Sequence, residues 1–234
     1  MGKTQGERFK TMHDVFDEFT NRNIYKLISE GHFAGLVGPV STGKEANVFL
    51  ARKEDKTKVI VKIHRLETSD FNRMYDYLKY DPRYATVKKK RREIIFAWAQ
   101  REYRNLLIAR ESGVRAPTPL TLKSNIVVME YIGDKEPAPK LKDSIPMDLE
   151  EFSSEVVNFM KKLYKGGYIH GDLSAFNILN WNQKPVFIDF SGCTPLRASD
   201  AEDLLVRDVK NVIDFFNKKG LELDKEKVLK KIRK

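Results

Sequence analysis

Apolar positions along this chain recur at two spacings, and the alternation between them outlines an α+β fold. From His13 to Ser29, Val15, Phe16 and Phe19, then Ile24, Leu27 and Ile28, keep helical spacing around a polar interruption at Thr20-Asn-Arg-Asn23. Two short helices are predicted, broken off by Gly31 and Gly35. Leu36–Ala51 reads as strand, turn and strand, and Lys58–Ile63 as a further strand. Leu66–Thr86 carries Phe71, Tyr75, Tyr77, Tyr80, Pro82 and Tyr84 and is read as a long loop, of a length that is usually functional or disordered. A helix follows over Arg92–Ile108, then a strand over Asn125–Gly133 that ends in a glycine turn.

The second half is mainly helical. Asp148 and Glu151 form a capping box; Phe152, Val156, Phe159, Met160 and Leu163 make one stripe; Gly166-Gly167 ends the helix. Ile178–Trp181 and Lys184–Ile188 are short strands around a polar turn at Asn182-Gln183, predicting a hairpin. Ser199 and Glu202 open another helix with Leu204, Leu205, Val209, Val212, Ile213 and Phe216 as its buried stripe and Gly220 as its end. Asp224 starts a last, lysine-rich helix.

The chemistry concentrates between Ile169 and Asp189. Asp172, Asn177 and Asp189 stand on loops bordered by apolar strand-like runs. Mg²⁺ is usually held by one or two protein oxygens plus substrate phosphates, so the carboxylate of Asp189 and the amide of Asn177 suffice. The hairpin between them would bring these two ligands together. Asp172 precedes Asn177 closely enough to face an attacking hydroxyl while Asn177 holds the metal.

Upstream, Lys62 is embedded in an apolar strand, and an inward lysine needs a negative partner. Glu102 is the candidate, because Trp98 and Leu106 stand four residues either side of it and place it on the inward helix face. Gly38, Gly43 and Lys44 nearly spell a Walker A loop, but Glu45 stands where Ser or Thr must bind Mg²⁺, and an extended segment follows where a helix is needed. A hairpin lid fits better, with the Ser41–Lys44 turn offering backbone amides and the Ser41 hydroxyl to a triphosphate.

These blocks together resemble the RIO family of atypical protein kinases, its RIO-one type in particular. The likeness rests on Ser41-Thr-Gly-Lys-Glu-Ala-Asn-Val-Phe49, on Ile169-His-Gly-Asp-Leu-Ser174 with Asn177-Ile-Leu179, and on Ile188-Asp-Phe-Ser191. It covers about Leu36 to about Pro195. It implies a two-lobed, truncated kinase-like fold, with an N-terminal helical extension over 1–35, a β-rich lobe over 36–131 and a mainly helical lobe over 132–234. It further implies ATP with Mg²⁺ or Mn²⁺, Lys62 and Glu102 orienting the nucleotide, Asn177 and Asp189 holding metal, and Asp172 orienting or deprotonating the acceptor. By the same likeness Met129 is the gatekeeper, the backbone at Glu130 and Ile132 bonds adenine, and Asp189 is a possible phospho-aspartate. Ser69 and Thr86 are positional candidates for autophosphorylation in a flexible insertion. No Ala-Pro-Glu segment follows, and residues 190–234 leave no room for the usual peptide platform. Gly171 replaces an arginine that receives an activation-loop phosphate in many kinases, and Ser174 replaces a lysine near the transferred phosphate.

RIO proteins act in maturation of the small ribosomal subunit, so a pre-ribosomal particle, protein and rRNA, is the implied partner. The balance of 43 Lys and Arg against 33 Asp and Glu, a net charge of +10, is compatible with that polyanion. Lys88–Arg92 and the lysines after Asp224 concentrate the charge, and solvated helix faces explain such blocks equally well. Tyrosines interleaved with lysines before Arg92 fit either RNA stacking or ordinary packing. Two rival functions remain: a small-molecule kinase of the aminoglycoside or choline type, which shares His-Gly-Asp, and an RNA-binding scaffold. No run of about 18 apolar residues exists and the start lacks a signal-peptide segment, so no membrane partner and a cytoplasmic location are expected. The single cysteine, Cys193, reads as a small semi-buried residue or a reactive thiol. The sequence leaves the oligomeric state open.

Overall fold

The computed structural model describes residues 16–67 and 71–234. Among the described residues, chain order begins with α1 (Glu18–Ser29), β1 (Gly35–Thr42), β2 (Ala46–Arg52) and β3 (Lys58–His64). It continues with α2 (Phe71–Lys79), a 3-10 turn (Pro82–Tyr84), α3 (Arg91–Glu111), β4 (Pro119–Lys123) and β5 (Ile126–Glu130). The second half holds α4 (Leu149–Lys165), β6 (Tyr168–Ile169), β7 (Ile178–Trp181), β8 (Lys184–Phe187), β9 (Thr194–Pro195), α5 (Ala201–Asn217) and α6 (Lys225–Arg233).

The first half is an antiparallel five-stranded sheet in the order β1-β2-β3-β5-β4. Side chains alternate across β3, so the sheet has two different faces. Val59, Val61 and Ile63 are buried against Ile24 and Leu27 of α1, whereas Ile60, Lys62 and His64 face the cleft. The second half packs α4, α5 and α6 around Phe152, Phe187, Phe190 and Phe216. Its helix caps follow the sequence: Asp148 accepts the Glu151 N–H at 2.7 Å and Asp224 the Lys227 N–H at 2.8 Å. Asn182 and Gln183 both take positive φ, 51° and 63°, the left-handed pair that a two-residue hairpin between β7 and β8 requires.

Several expectations change. Thr20–Asn23 does not interrupt a helix but lies inside α1, because Asp17 caps it through the Thr20 N–H at 3.0 Å and Asn21 and Asn23 return their amides to the Phe16 and Phe19 carbonyls. The helix expected before it, around Val15, falls outside the described residues. Leu66–Thr86 is not a long loop: α2 buries Met74 and Leu78 against Ile94, Ile95 and Trp98 of α3. Ser69 lies outside the described residues, and Thr86 is exposed. Ser199 is not the cap of α5; Asp200 holds that position without a side-chain bond. β4 went unread in the sequence, being a short edge strand begun by Pro119.

Candidate active site

Four segments far apart in sequence meet at one cavity of about 660 Å³ between the sheet and the helical half. Lys62 comes from β3, where pairing with Val48 and Val127 fixes it at the centre of the sheet. Its ammonium lies 2.6 Å from Glu102 Oε1 and 3.0 Å from Asp189 Oδ1. Burial opposes that charge, but the carboxylates of Asp189 and Glu102 outweigh it and hold the Lys62 pKa above the ordinary lysine value. Asp189 shifts the other way: burial would raise its pKa, and Lys62 together with the Ser191 hydroxyl, 2.9 Å from Oδ1, pulls it well below the usual carboxylate range. His64 Nε2 stands 3.0 Å from Glu102 Oε2, so the buried glutamate is bracketed on both oxygens.

The metal-ligand candidates are adjacent. The Asn177 carbonyl accepts the Ile188 N–H at 3.0 Å, which ties the residue before Asp189 to Asn177. Asn177 Nδ2 donates to the Asp172 carbonyl at 2.8 Å, leaving its amide oxygen as the acceptor atom. Asp189 Oδ1 serves Lys62 and Ser191, so Oδ2 is the oxygen left over. One carboxylate and one amide oxygen beside room for a triphosphate fit Mg²⁺, which needs few protein ligands. Among the described residues no cluster of three or more His, Cys, Asp and Glu forms an all-protein metal cage.

Asp189 itself has φ 62° and ψ 67°, a left-handed conformation that costs a non-glycine residue energy. The segment after it is held by α3. Asn105 donates to the Phe190 and Cys193 carbonyls, both at 2.9 Å, and the fully buried Arg101 bonds Thr194 Oγ1 at 2.9 Å and Asp81 Oδ2 at 3.2 Å. The loop carrying Asp172 is held from α5: Asp208 accepts the Gly171 N–H at 2.7 Å and the Leu173 N–H at 2.8 Å. Burial pushes the Asp208 pKa up to about 7, against the pull of those two N–H groups and Arg207. Arg207 bonds the Gly171 carbonyl. Gly171 has φ 76°, and a Cβ there would collide with the Gly192 carbonyl, which explains physically why no arginine stands before Asp172. His170 is buried, its pKa lowered by that burial, and its Nε2 meets the Ile188 carbonyl at 3.1 Å; it packs on Phe190 and takes no place in the cleft.

Ser41, Lys44, Lys62, Glu102, Met129, Glu130, Ile132, Asp172, Asn177 and Asp189 all line the cavity. Two details differ from expectation. Ser41 lies within β1, not in a turn, and the turn that follows uses the Gly43 N–H to bond the Ala46 carbonyl at 3.0 Å, so that amide is already committed. The Glu130 side chain pairs with Arg115 at 2.6 Å and with Thr118. Burial opposes its ionisation, yet those partners bring its pKa down to about 2. Its N–H bonds the Thr118 carbonyl at 2.8 Å, and the Ile132 carbonyl accepts the Ala138 N–H at 2.9 Å. Cys193 is fully buried, and burial pushes its thiol up to about 12, so it is a core residue and no accessible nucleophile.

Sequence reading missed Asp208, Arg101, Asn105 and His64. A signal existed for Asp208, which stands four residues from Leu204 and from Val212 and so interrupts the apolar stripe with a charge.

Similarity to known proteins agrees with this geometry. A family model described as the RIO domain matches residues 47–228. The chain is 37% identical over 219 residues to the RIO-type serine/threonine-protein kinase Rio1 of Haloferax volcanii, covering 93% of this chain and 76% of that one. It is 40% identical over 228 residues to Rio1 of Methanocaldococcus jannaschii, covering 97% and 78%. Among solved structures, the Rio2 kinase-ADP/Mg²⁺-phosphoaspartate complex from Chaetomium thermophilum superimposes with a TM-score of 0.67 at 20% identity, over 91% of this chain and 66% of that one. The chain thus spans slightly under two thirds of that neighbour and supports the same fold. A sheet-borne lysine paired to a helix glutamate, the Asp172–Asn177 loop, the Asp189 turn and identity extending over almost the whole chain lead to one conclusion: this protein belongs to the RIO family of serine/threonine-protein kinases.

Proposed function

We propose that this chain transfers the γ-phosphoryl group of ATP to a serine or threonine hydroxyl, its own or a partner's, or to water, and that it does so in maturation of the small ribosomal subunit. The observation that carries the chemistry is the Lys62 ammonium held 2.6 Å from Glu102 and 3.0 Å from Asp189 in the cavity that Asp172 and Asn177 also line. Lys62 meets the triphosphate, and Glu102 keeps it aimed. Asn177 and Asp189 are the residues to hold Mg²⁺ or Mn²⁺; the ion, when bound, offsets phosphate charge. Met129 flanks the base, and main-chain atoms at Glu130 and Ile132 bond adenine, with Ser41 and Lys44 over the phosphates.

Asp172 orients the acceptor hydroxyl. The hydroxyl oxygen forms a bond to the γ-phosphorus, its proton passes to the Asp172 carboxylate, and the bond to the β,γ-bridging oxygen breaks with its electron pair leaving on ADP. Positioning and charge neutralisation dominate such a loose transition state, so proton removal is the lesser contribution. Asp189 is a second acceptor: its carboxylate is 42% exposed in the cleft, and the Rio2 neighbour is described as a phosphoaspartate complex. An acyl phosphate is labile to hydroxylamine, whereas a phosphoserine is not, so the stability of the label on this protein separates the two acceptors.

Asp172→Asn tests the reading. Its shorter bond from Asn177 goes to the Asp172 main chain at 2.8 Å, and the longer one to Asp172 Oδ2 at 3.4 Å can be kept by the amide oxygen of an asparagine. The loop and ATP affinity should therefore be kept while turnover falls by at least roughly 10²-fold. Unchanged turnover removes Asp172 from this role. The ribosomal role is what the RIO resemblance implies, and the net charge of +10 and an exposed Lys88–Arg92 block are compatible with it. Salt-dependent co-sedimentation with small-subunit precursors tests it, and absence of binding at low salt would sink it. Family membership leaves the aminoglycoside or choline type of kinase without support.

A further inference from the structure

The cleft is short of positive charge on its acceptor side. Lys62 is already matched by Glu102 and Asp189, and Asp172 and Glu45 add carboxylates to the same cavity; Lys44 and Lys140 also line it, but among the described residues neither forms an ion pair with Asp172. Ser174, two residues after Asp172, contributes a hydroxyl that accepts the Phe176 N–H at 3.3 Å and brings no charge. Beyond the metal ion that Asn177 and Asp189 would hold, a phosphoryl group in transit towards an acceptor at Asp172 therefore gains from a further cation on that side.

Helix α2 supplies one. Arg73 lines the cavity together with Met74 and Tyr77 of the same helix, and its Nη1 lies 4.0 Å from Glu45 Oε1 in the lid. Burial works against its charge, but the Tyr77 hydroxyl and the carboxylates of Glu45 and Asp172 outweigh it and raise its pKa. Arg207 of α5 approaches the same tyrosine hydroxyl and also bonds the Gly171 carbonyl next to Asp172. Tyr77 is fixed in turn by the Trp98 ring, with centroids 5.8 Å apart, and by the Arg101 guanidinium 5.5 Å from its ring. The helix bearing Arg73 is thus clamped to both α3 and the Asp172 loop. The Arg73 side chain is nevertheless 58% exposed, and among the described residues its partners are a long ion pair and a hydroxyl, so an incoming phosphate can recruit it.

We propose that Arg73 is a catalytic residue, a guanidinium delivered by α2 that contacts the γ-phosphoryl oxygens during transfer and supplies the charge that Ser174 does not. Arg207 is a positioning residue that keeps Tyr77 and the Gly171–Asp172 turn in register with it. The inference rests on the phosphoryl-transfer reading and deepens it. A planar fork of donors suits three equatorial oxygens better than an ammonium would.

The test compares Arg73→Ala, Arg73→Gln, Arg73→Lys and the double variant Arg73→Ala/Ser174→Lys with the unaltered protein. Single-turnover ATP consumption and the affinities for Mg²⁺-ADP and for the Mg²⁺ complex of the β,γ-imido ATP analogue are measured on each. Loss of Arg73 should cut turnover by about 10²-fold, with Arg73→Lys intermediate and Ser174→Lys restoring part of the loss. The imido analogue should bind about tenfold more weakly to Arg73→Ala and Arg73→Gln while ADP binds as before, because only the analogue carries a γ-phosphoryl group. Turnover within twofold of the unaltered protein, or an equal loss of both nucleotides, would overturn the proposal, the latter showing that Arg73 merely props α2. Should Arg73→Ala fail to fold, Arg73→Gln keeps the side-chain stem out to the δ-carbon and decides by the same ratio. An unaltered protein that consumes no ATP would defeat the phosphoryl-transfer reading itself, and the analogue-to-ADP ratio would still judge Arg73.

Discussion

The two loops that flank the nucleotide cleft are built in opposite ways. The segment around Asp172 and Asp189 is tied from behind by buried polar side chains: Asp208 holds the Gly171 and Leu173 N–H groups, Asn105 the Phe190 and Cys193 carbonyls, and Arg101 Thr194. Among the described residues the β1–β2 hairpin facing it has no such backing; Val37 and Val40 are exposed, and its pairing slips between Leu36 and Gly38 and again between Pro39 and Ser41. On the proposed function, the first loop keeps an acceptor-orienting carboxylate and a metal ligand in fixed relation. On the same proposal the second has only to cover phosphates, a task that tolerates movement and allows nucleotide exchange.

Breaking the rigid side should therefore cost most. Asp208→Ala strands two buried N–H groups, and at roughly 1–3 kcal/mol for each it should destabilise the fold by about 2–6 kcal/mol. At roughly 2–4 °C per kcal/mol for a chain of this size, the melting temperature should drop by about 4–24 °C. Asp208→Asn keeps one acceptor oxygen and should recover part of that loss. Calorimetry in which Asp208→Ala melts with the unaltered protein would remove Asp208 as the anchor.

A pair of glycines sharpens the contrast. Gly171→Ala places a Cβ against the Gly192 carbonyl in a backbone at φ 76°, and a loss of about 1–3 kcal/mol with collapse of turnover is expected. Gly38→Ala in the lid strand meets nothing within 4 Å and should stay within about 0.5 kcal/mol. Equal denaturation midpoints for the two variants would contradict the distinction between a held loop and a free one.

The smallest effect concerns Cys193, behind the rigid loop. Its folded pKa, about 12, lies above the ordinary value of 9.0, so the fold favours the neutral thiol. That contribution is fully present below about pH 9 and is lost as pH rises towards 12. Urea midpoints should fall more steeply between pH 8 and pH 10.5 for the unaltered protein than for Cys193→Ala, and a maleimide should label Cys193 only after unfolding. Rapid labelling of the native protein would show that the thiol is accessible after all.

Much of the candidate site was legible because its parts announce themselves locally. A lysine alternating with apolar residues has to turn towards a counter-charge, a glutamate spaced four from Trp98 and Leu106 has to face inward, and Asn182-Gln183 suits a tight hairpin. Those rules act over a few residues, so composition and spacing carry them. The helix α2 was lost for the same reason: its tyrosines and arginines look like loop until α3 offers Ile94, Ile95 and Trp98 for Met74 and Leu78 to cover. Thr20–Asn23 likewise reads as a break until Asp17 and the Phe16 and Phe19 carbonyls satisfy its polar groups.

By itself, then, the sequence determined the α+β pattern, the family and ten of the residues that line the cleft. The tertiary structure alone decided that Lys62 reaches both Glu102 and Asp189, that Asp189 sits in a left-handed turn, and that Arg73 joins the cavity from a helix. The reason is physical: a buried charge or a strained backbone is tolerable only where distant groups supply its partners, and no local pattern of residues specifies which distant group arrives.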